Sequence, residues 1–278
     1  MKHTAQPSVM RIPQPVMAAL LLFPAVALGV AAMIAGGVSP ALWGQQIAAW
    51  AIFALLAEPM RRMAARLPDG VKAGLLLLFL AATLADASAG GAKRWIDLGV
   101  FNVNAAQLVL PALLVILCRA GNPFPAVLIT TAVLCLQPDL SQLAAFSAAA
   151  LPLLWLRQKD RFWALFSLAA LAALLVVCAF SPVTLEPLSY SEGILSMLGG
   201  RSPLLCAAGW LALAAIPACG LYAFLRRGAL PSLCAAVYYA ALLLFVLTGA
   251  YPVPFMGFGL SPIVGYYLAY ACRKPAAD

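Results

Sequence analysis

The run VMAALLLFPAVALGVAAMIAG, residues 16–36, decides the fold class of this chain. It carries no charged residue, and roughly 20 apolar residues are enough to cross the hydrocarbon core of a membrane as a helix. Lys2 and Arg11 precede the run, as in a secretory signal, but further apolar runs follow it directly. This arrangement favours a first membrane span over a cleaved leader.

The composition extends this interpretation to the whole chain. Of its 278 residues, 65% are hydrophobic and only 9% are charged, with a mean hydropathy of +0.99. Soluble domains are about 45–50% apolar and about 25% charged, so a soluble globular protein and a disordered one are both excluded. We predict an all-α polytopic membrane protein that forms a single transmembrane domain over residues 1–278. The ten predicted spans are approximately 16–36, 41–58, 71–88, 103–119, 123–137, 140–156, 162–180, 203–225, 229–249 and 254–271.

The positions of the cations test the number of spans. With ten spans and a cytoplasmic N-terminus, fourteen of the 17 Lys and Arg residues lie inside, and only Lys93, Arg94 and Arg201 lie outside. This asymmetry obeys the positive-inside rule, and an odd number of spans would destroy it. Both termini are therefore predicted to be cytoplasmic. The net charge of +8 is explained by topology and argues against a nucleic-acid partner.

The numbers and positions of histidine and cysteine limit which catalytic and metal sites the chain can form. The single histidine, His3, rules out clustered histidine ligands and a Ser-His-Asp triad. The seven cysteines are scattered and lack paired spacing, so we expect them to act as small apolar side chains.

One predicted outer loop carries the sequence GAKRWIDLG, residues 91–99. Lys93 and Arg94 place two adjacent cations on the side where cations are scarce, and Trp95 suits a membrane interface. The loop is compatible with a solvated turn that has an interfacial anchor. It is also compatible with an anion clamp, because a membrane-bound pyrophosphate needs fixed positive charge and the planar donors of Arg.

Three motifs in this chain resemble the SEDS family, the membrane glycosyltransferases of cell-wall synthesis. Residues 91–99 are similar to its GARRWI-LG motif, and QPDL at 137–140 is similar to its QPDLG turn. Residues 251–261 resemble more weakly its LPFxSYGGS stretch near the tenth helix. The motifs occur in the family's order, and the resemblance implies a bundle of ten helices with both ends inside.

The chain departs from the family pattern after the first motif. The family continues with QPSE and then a lysine three residues later. This chain has Asn104, Ala105, Ala106 and Gln107 in place of QPSE, and Leu110 in place of the lysine. A carboxylate and an ammonium have thus been exchanged for an amide and an alkyl group.

The loop between the seventh and eighth spans is also shorter than the family's. In those enzymes it carries an essential aspartate, in a context like HTDFIFAVIGEELG. The gap-free match is YSEGILSMLG at 190–199, which places Glu192 on that aspartate. A loop carboxylate that is merely hydrated, or that neighbours a helix N-terminus, would have the same sequence.

The resemblance implies an enzyme that polymerises lipid II, an undecaprenyl-linked disaccharide, at the outer face of the bacterial cytoplasmic membrane. Glu192 would act as general base. Lys93, Arg94, Trp95 and Arg201 would bind the substrate, and a divalent cation, Mg²⁺ or Mn²⁺, would help to stabilise the pyrophosphate. Asp139 would contribute to substrate binding, or it would pair with Arg94 or Lys93 or cap the sixth helix. The implied role is cell division or maintenance of cell shape, with a class B penicillin-binding protein as partner.

Two other functions remain open at this stage. A catalytically weakened scaffold or regulator of a cell-wall complex is favoured by the missing glutamate and lysine. A lipid flippase is disfavoured because no span carries a cluster of charges at mid-depth.

Overall fold

The computed structural model describes residues 13–85, 93–99, 102–157, 161–180, 188–249 and 251–274. The predicted outer loop 89–102 is therefore described only for 93–99 and 102, and the loop 181–202 only from 188 onward. The termini, with Lys2, His3 and Arg11, lie outside the described residues.

The described chain is a bundle of helices with one small hairpin. The helices are α1 Gln14–Ala35, α2 Pro40–Ala65, α3 Asp69–Ala82, α4 Ala105–Leu117, α5 Phe124–Leu136, α6 Leu140–Arg157, α7 Arg161–Ala179, α8 Ile194–Arg201, α9 Pro203–Arg227, α10 Leu230–Val246 and α11 Ser261–Ala271. A 3-10 turn, Thr83–Ala85, follows α3, and the antiparallel strands β1 Trp95–Asp97 and β2 Asn102–Asn104 precede α4.

Each of the ten predicted spans contains one of these helices, which confirms the helical polytopic class. Among the described residues, α1, α2, α6 and α9 are long and apolar enough to cross a membrane by length and composition alone. The apolar helices α4, α5 and α10 are shorter, and a helix of 13 residues covers about 20 Å. The hydrocarbon core is about 30 Å thick, so the number of ten crossings is approximate.

The structure corrects the predicted spans in three places. The fourth predicted span, 103–119, begins in β2, and its helix starts only after Asn104, whose side chain caps α4 by accepting from the N–H of Gln107. The last predicted span, 254–271, is helical only from Ser261. The helix α8 was not predicted and lies in the region assigned to the loop 181–202. Its residues are too few and too polar to give a span-like signal.

The core is built around α4. All of its residues except Leu108 are buried, and it packs against α3, α6, α10 and α11. A helix that is apolar all round belongs in the interior of a bundle. Because α4 begins directly after the hairpin, its central position fixes where the GAKRWIDLG segment lies.

Three glycines allow the backbone to approach very closely. A Cβ added at Gly29 would lie 2.1 Å from the carbonyl oxygen of Met256, and one at Gly265 would lie 2.2 Å from that of Gln107. A Cβ at Gly257 would lie 2.4 Å from the carbonyl oxygen of Ser191. Small residues commonly line helix contacts in membranes because packing drives association there.

We expect Gly265→Ala to destabilise the bundle, because the new methyl group would collide with backbone that cannot rotate away. Overpacking of this kind costs about 1–3 kcal/mol. The matched control is Gly74→Ala in α3, where an added Cβ meets nothing within 4 Å. Thermal unfolding of the purified proteins in detergent measures both. An unchanged melting temperature for Gly265→Ala would contradict the close approach of α4 and α11.

Candidate functional site

The β1–β2 hairpin positions the first candidate residues. Trp95 pairs with Asn104 across the hairpin. Gly99 takes a positive φ of 81° in the turn, and its N–H donates to Asp97 Oδ1 at 2.7 Å. The carbonyl oxygen of Arg94 accepts from the N–H of Ala105 at 3.2 Å. The chain thus enters α4 directly from the cationic motif, and we call this end of the bundle the hairpin end.

Arg94 and Asp139 form an ion pair at the hairpin end. Arg94 Nε lies 3.5 Å from Asp139 Oδ2, and Arg94 Nη2 donates to the carbonyl oxygen of Pro138 at 2.8 Å. The side chain of Asp139 is 1% exposed, and that of Arg94 is 18% exposed. A carboxylate so deeply buried is costly unless it is paired, and the structure supplies the pair.

Asp139 also caps α6. Its Oδ1 accepts from the backbone N–H of Gln142 at 3.2 Å and from the hydroxyl of Ser141 at 2.8 Å. The pairing with Arg94 and the capping of α6, which the sequence left as alternatives, therefore occur together. The QPDL motif thus joins the hairpin to the α5–α6 turn.

A neutral hydrogen-bond network lies beside this ion pair. The Tyr251 hydroxyl accepts from Gln107 Nε2 at 2.9 Å and from Gln142 Nε2, while the Tyr238 hydroxyl donates to Gln142 Oε1 at 2.6 Å. All four residues are buried. Gln142 and Tyr238 were missed by sequence reasoning because single amides and phenols in apolar runs give no motif.

This network occupies the place where the family pattern has charge. Gln107 stands at the family's glutamate, and Leu110, at the family's lysine, is fully buried. The structure thus has amide and phenol hydrogen bonds at Gln107 and apolar packing at Leu110.

Residues 251–261 connect the network to the turn that carries Glu192. The N–H of Val253 donates to the carbonyl oxygen of Ser191 at 3.3 Å, and the N–H of Phe258 donates to the carbonyl oxygen of Tyr190 at 2.9 Å. The same segment carries Tyr251, and the hydroxyl of Ser261 accepts from the N–H of Asn104 at 2.9 Å. One irregular segment thus contacts β2, α4, α6 and the Glu192 turn.

Glu192 is half-buried in that turn, just before α8. Its Oε2 accepts from the backbone N–H of Leu188 at 2.8 Å, and its own N–H donates to the carbonyl oxygen of Leu188 at 3.0 Å. The carboxylate closes a tight turn with one oxygen and leaves Oε1 without a hydrogen bond within the described part of the chain. No described contact joins Glu192 to Arg94 or to Lys93.

The three cations predicted to bind substrate each meet the C-terminal end of a helical segment. Lys93 Nζ donates to the carbonyl oxygen of Leu84 at 3.3 Å, Arg94 donates to that of Pro138, and Arg201 donates to that of Ala35. Cations are favourable at helix C-termini because unpaired carbonyls and the helix dipole concentrate negative potential there. Lys93 and Arg94 are adjacent in sequence but diverge to different helices. Trp95, also a predicted substrate residue, is half-buried in β1.

The described residues hold no group of three or more His, Cys, Asp or Glu side chains that fits a metal ion. At the hairpin end the buried Asp139 is engaged by Arg94, Ser141 and Gln142. Asp86 and Glu186, two acidic residues of the predicted outer side, lie outside the described residues. Mg²⁺ is usually held by one or two carboxylates together with substrate phosphates and water, so the expected Mg²⁺ or Mn²⁺ stays a prediction.

The fold is similar to solved structures of a rod shape determining protein. Rod shape determining protein RodA of Thermus thermophilus superposes with a TM-score of 0.59 at 20% sequence identity, over 92% of this chain and 93% of that chain. This chain has the fold of RodA. An aspartate-to-alanine mutant of the same protein gives 0.59 at 21% identity, over 92% and 94% of the two chains. The SEDS resemblance seen in the sequence is thereby confirmed at the level of the fold.

A third similar structure belongs to a peptidoglycan synthase complex that coordinates polymerization and crosslinking. It gives a TM-score of 0.59 at 19% identity, over 92% of this chain and 96% of that chain. No protein-family model and no curated protein sequence matches this chain.

We expect Asp139→Asn and Asp139→Ala to separate the two roles of this carboxylate. Asparagine caps helices as well as aspartate does, so Asp139→Asn loses only the ion pair with Arg94. Its cost should be about 1–3 kcal/mol, typical of leaving a buried polar group without its partner. Asp139→Ala also loses the cap, which adds about 1 kcal/mol. Denaturation in detergent checks the order, and equal stability of wild type and Asp139→Asn would contradict the pairing.

Proposed function

We propose that this protein is a peptidoglycan glycosyltransferase that polymerises lipid II at the outer face of the bacterial cytoplasmic membrane, in cell division or cell-shape maintenance. The observation that carries the proposal is the joined hairpin end. There the Tyr251 network and the Glu192 turn both contact the segment 251–261, within the RodA fold. Gln142 links this segment to the Arg94–Asp139 pair, because its backbone N–H donates to Asp139 and its side chain donates to Tyr251.

The proposed reaction joins a sugar hydroxyl to the anomeric carbon of a lipid-linked sugar. The oxygen–carbon bond forms as the bond from that carbon to the pyrophosphate oxygen breaks, and the pyrophosphate leaves with the electron pair. Glu192 would accept the hydroxyl proton through Oε1, the oxygen that the turn does not use. The half-buried position of Glu192 keeps it within reach of a substrate at the membrane surface.

Cations would stabilise the leaving pyrophosphate. Lys93 spends one of its three N–H donors on Leu84, which leaves donors for an anion. Arg94 uses Nη2 for Pro138 and faces Asp139 with Nε; Asp139 would act as a positioning residue that holds this guanidinium. Trp95 and Arg201 would border the lipid-linked substrate. The expected role of a divalent cation is tested separately, by titrating Mg²⁺ or Mn²⁺ in the polymerisation assay.

A scaffold or regulator of a cell-wall complex is the second candidate. It is favoured by the neutral, tightly bonded Gln107–Tyr251–Gln142 network where the family pattern has a charged pair. In either case we propose a class B penicillin-binding protein as partner, since a structure with the same fold is part of a peptidoglycan synthase complex.

We expect Glu192→Gln to abolish polymerisation without unfolding the protein. Glutamine retains an oxygen that can accept from the N–H of Leu188, so the turn is kept while the base is lost. Removal of a general base costs about 10²–10⁴ in rate. The assay is glycan chain formation from lipid II, with and without candidate partners. Asp97→Asn, which changes another carboxylate of the hairpin end, is the matched control.

Glu192→Asp is expected to retain partial activity, because the carboxylate remains but its reach is one methylene shorter. Wild-type rates for Glu192→Gln would show that the assignment of the base is wrong. An inactive wild-type protein that still binds its partner would establish the scaffold function instead.

We also expect the hairpin end to face outward and both termini to be cytoplasmic. On a cysteine-free background, a membrane-impermeant thiol reagent applied to intact spheroplasts should label Leu98→Cys, whose native side chain is 59% exposed in the hairpin turn. It should label Arg226→Cys, at the end of α9, only after lysis. Labelling of position 226 from outside would contradict the orientation.

A further inference from the structure

A second polar site lies at the other end of α4, about 20 Å from the hairpin end by the length of that helix. It is a cavity of about 410 Å³, within the range of roughly 300–1,000 Å³ that is typical of ligand sites. Its charged lining consists of Asp69, Lys72, Arg119, Arg273 and Lys274. We call this the basic cavity.

The charges of the basic cavity do not cancel. Asp69 accepts from Arg119 Nε at 2.7 Å and from Nη2 at 2.8 Å, and its Oδ1 lies 2.7 Å from Lys72 Nζ. The hydrogen bonds from Arg119 hold the pKa of Asp69 well below its usual range, so this carboxylate is charged at neutral pH. Four cations face one carboxylate in the lining, which leaves three positive charges uncompensated.

Two layers of cations can be distinguished in the basic cavity. Arg119 is 16% exposed and Lys72 is 11% exposed, so both are fixed in the wall. Lys72 also donates to the carbonyl oxygen of Ala64 at 3.2 Å, which leaves one N–H of its ammonium for a ligand. Arg273 and Lys274 are exposed and lie at the rim.

An apolar surface begins next to the basic cavity. Leu67, which lines it, is 45% exposed, and Val71, Leu75 and Leu78 on α3 are 48%, 56% and 68% exposed. These three residues are spaced i, i+4 and i+7 and therefore lie along one face of the helix. A molecule with a phosphate in the cavity would find hydrocarbon-compatible surface along this face.

We propose that the basic cavity binds a phosphate group, and that its natural source is the headgroup of an anionic phospholipid in the cytoplasmic leaflet. Basic pockets between membrane helices on the cytoplasmic side commonly bind such headgroups. The ligand would bridge the ends of α2, α3, α4 and α11, of which α4 and α11 also carry the hairpin-end site. The inference does not require the protein to polymerise glycan.

Binding of fluorescent phosphatidylglycerol to the purified full-length protein in neutral detergent tests the proposal. Each cation near a membrane surface contributes about 1 kcal/mol to the attraction of an anionic lipid, so Arg273→Gln/Lys274→Gln should weaken binding by about 30-fold. The control is Arg226→Gln/Arg227→Gln, which removes two exposed cations at the end of α9 that do not line the cavity. It should change the dissociation constant by less than about threefold.

Competition experiments distinguish a phospholipid headgroup from free inorganic phosphate as the source of the bound phosphate group. Phosphatidylcholine should not displace the probe. Displacement by millimolar inorganic phosphate would support a phosphate site but assign it to a soluble anion. Equal weakening in the two double variants would show general surface electrostatics and overturn the proposal. Since the replaced residues of both double variants are exposed, both variants should fold. Lys72→Gln, which changes a cation in the wall of the basic cavity, provides a second test.

Discussion

Backbone groups in an apolar bundle must be hydrogen-bonded within the protein, and the irregular segment 251–260 is where this constraint is hardest to meet. The side chain of Gln46 donates to the carbonyl oxygen of Phe255 at 2.7 Å, and the N–H of Gly257 donates to that of Val253 at 2.8 Å. The Glu192 turn accepts from two further N–H groups of the segment. Non-helical backbone is tolerated at membrane depth only when it is buried in protein in this way. The core is therefore organised so that several helices supply donors and acceptors to one stretch of chain.

The replacement of charge by amides has a clear energetic logic. A buried ion pair requires desolvation of both partners, and exchange for well-packed neutral groups is often neutral or stabilising. Here Gln107 and Gln142 satisfy a shared phenol, and Leu110 contributes only packing. The remaining ion pair, Arg94–Asp139, lies next to the network and keeps a guanidinium at the hairpin end. Charge at this end of the bundle is thus confined to one pair, in which Asp139 is buried and Arg94 is partly exposed.

Much of the fold could be predicted from sequence because helical spans depend on hydropathy summed over many residues. Most of the ten spans follow from that signal, and the short fifth span was supported by the cation asymmetry, which requires an even number of spans. The α8 helix could not be predicted, because its eight residues are too few and too polar to give a span-like signal. The delayed start of α11 could not be predicted either, because the irregular backbone before it contacts Tyr190 and Ser191, which are distant in sequence. The pairing of Asp139 was among the alternatives that charge alone suggested. The hydrogen bonds of Gln142 with Tyr251 and Tyr238 were not among those alternatives, because these partners are 109 and 96 residues away in sequence.

The late position of residues 251–261 in the chain has a consequence for biosynthesis. Gln46 and Phe255 are separated by 209 residues, and at about 5–20 residues per second translation takes about 10–40 s to cover that distance. During this interval the amides of Gln46, Gln107 and Gln142 are already within the nascent bundle while their partners have not been synthesised. Each unsatisfied polar group costs several kcal/mol in hydrocarbon. The insertion machinery or trapped water must therefore accommodate these amides until residues 251–261 have been synthesised, and a chain truncated before Tyr251 would expose them to membrane quality control.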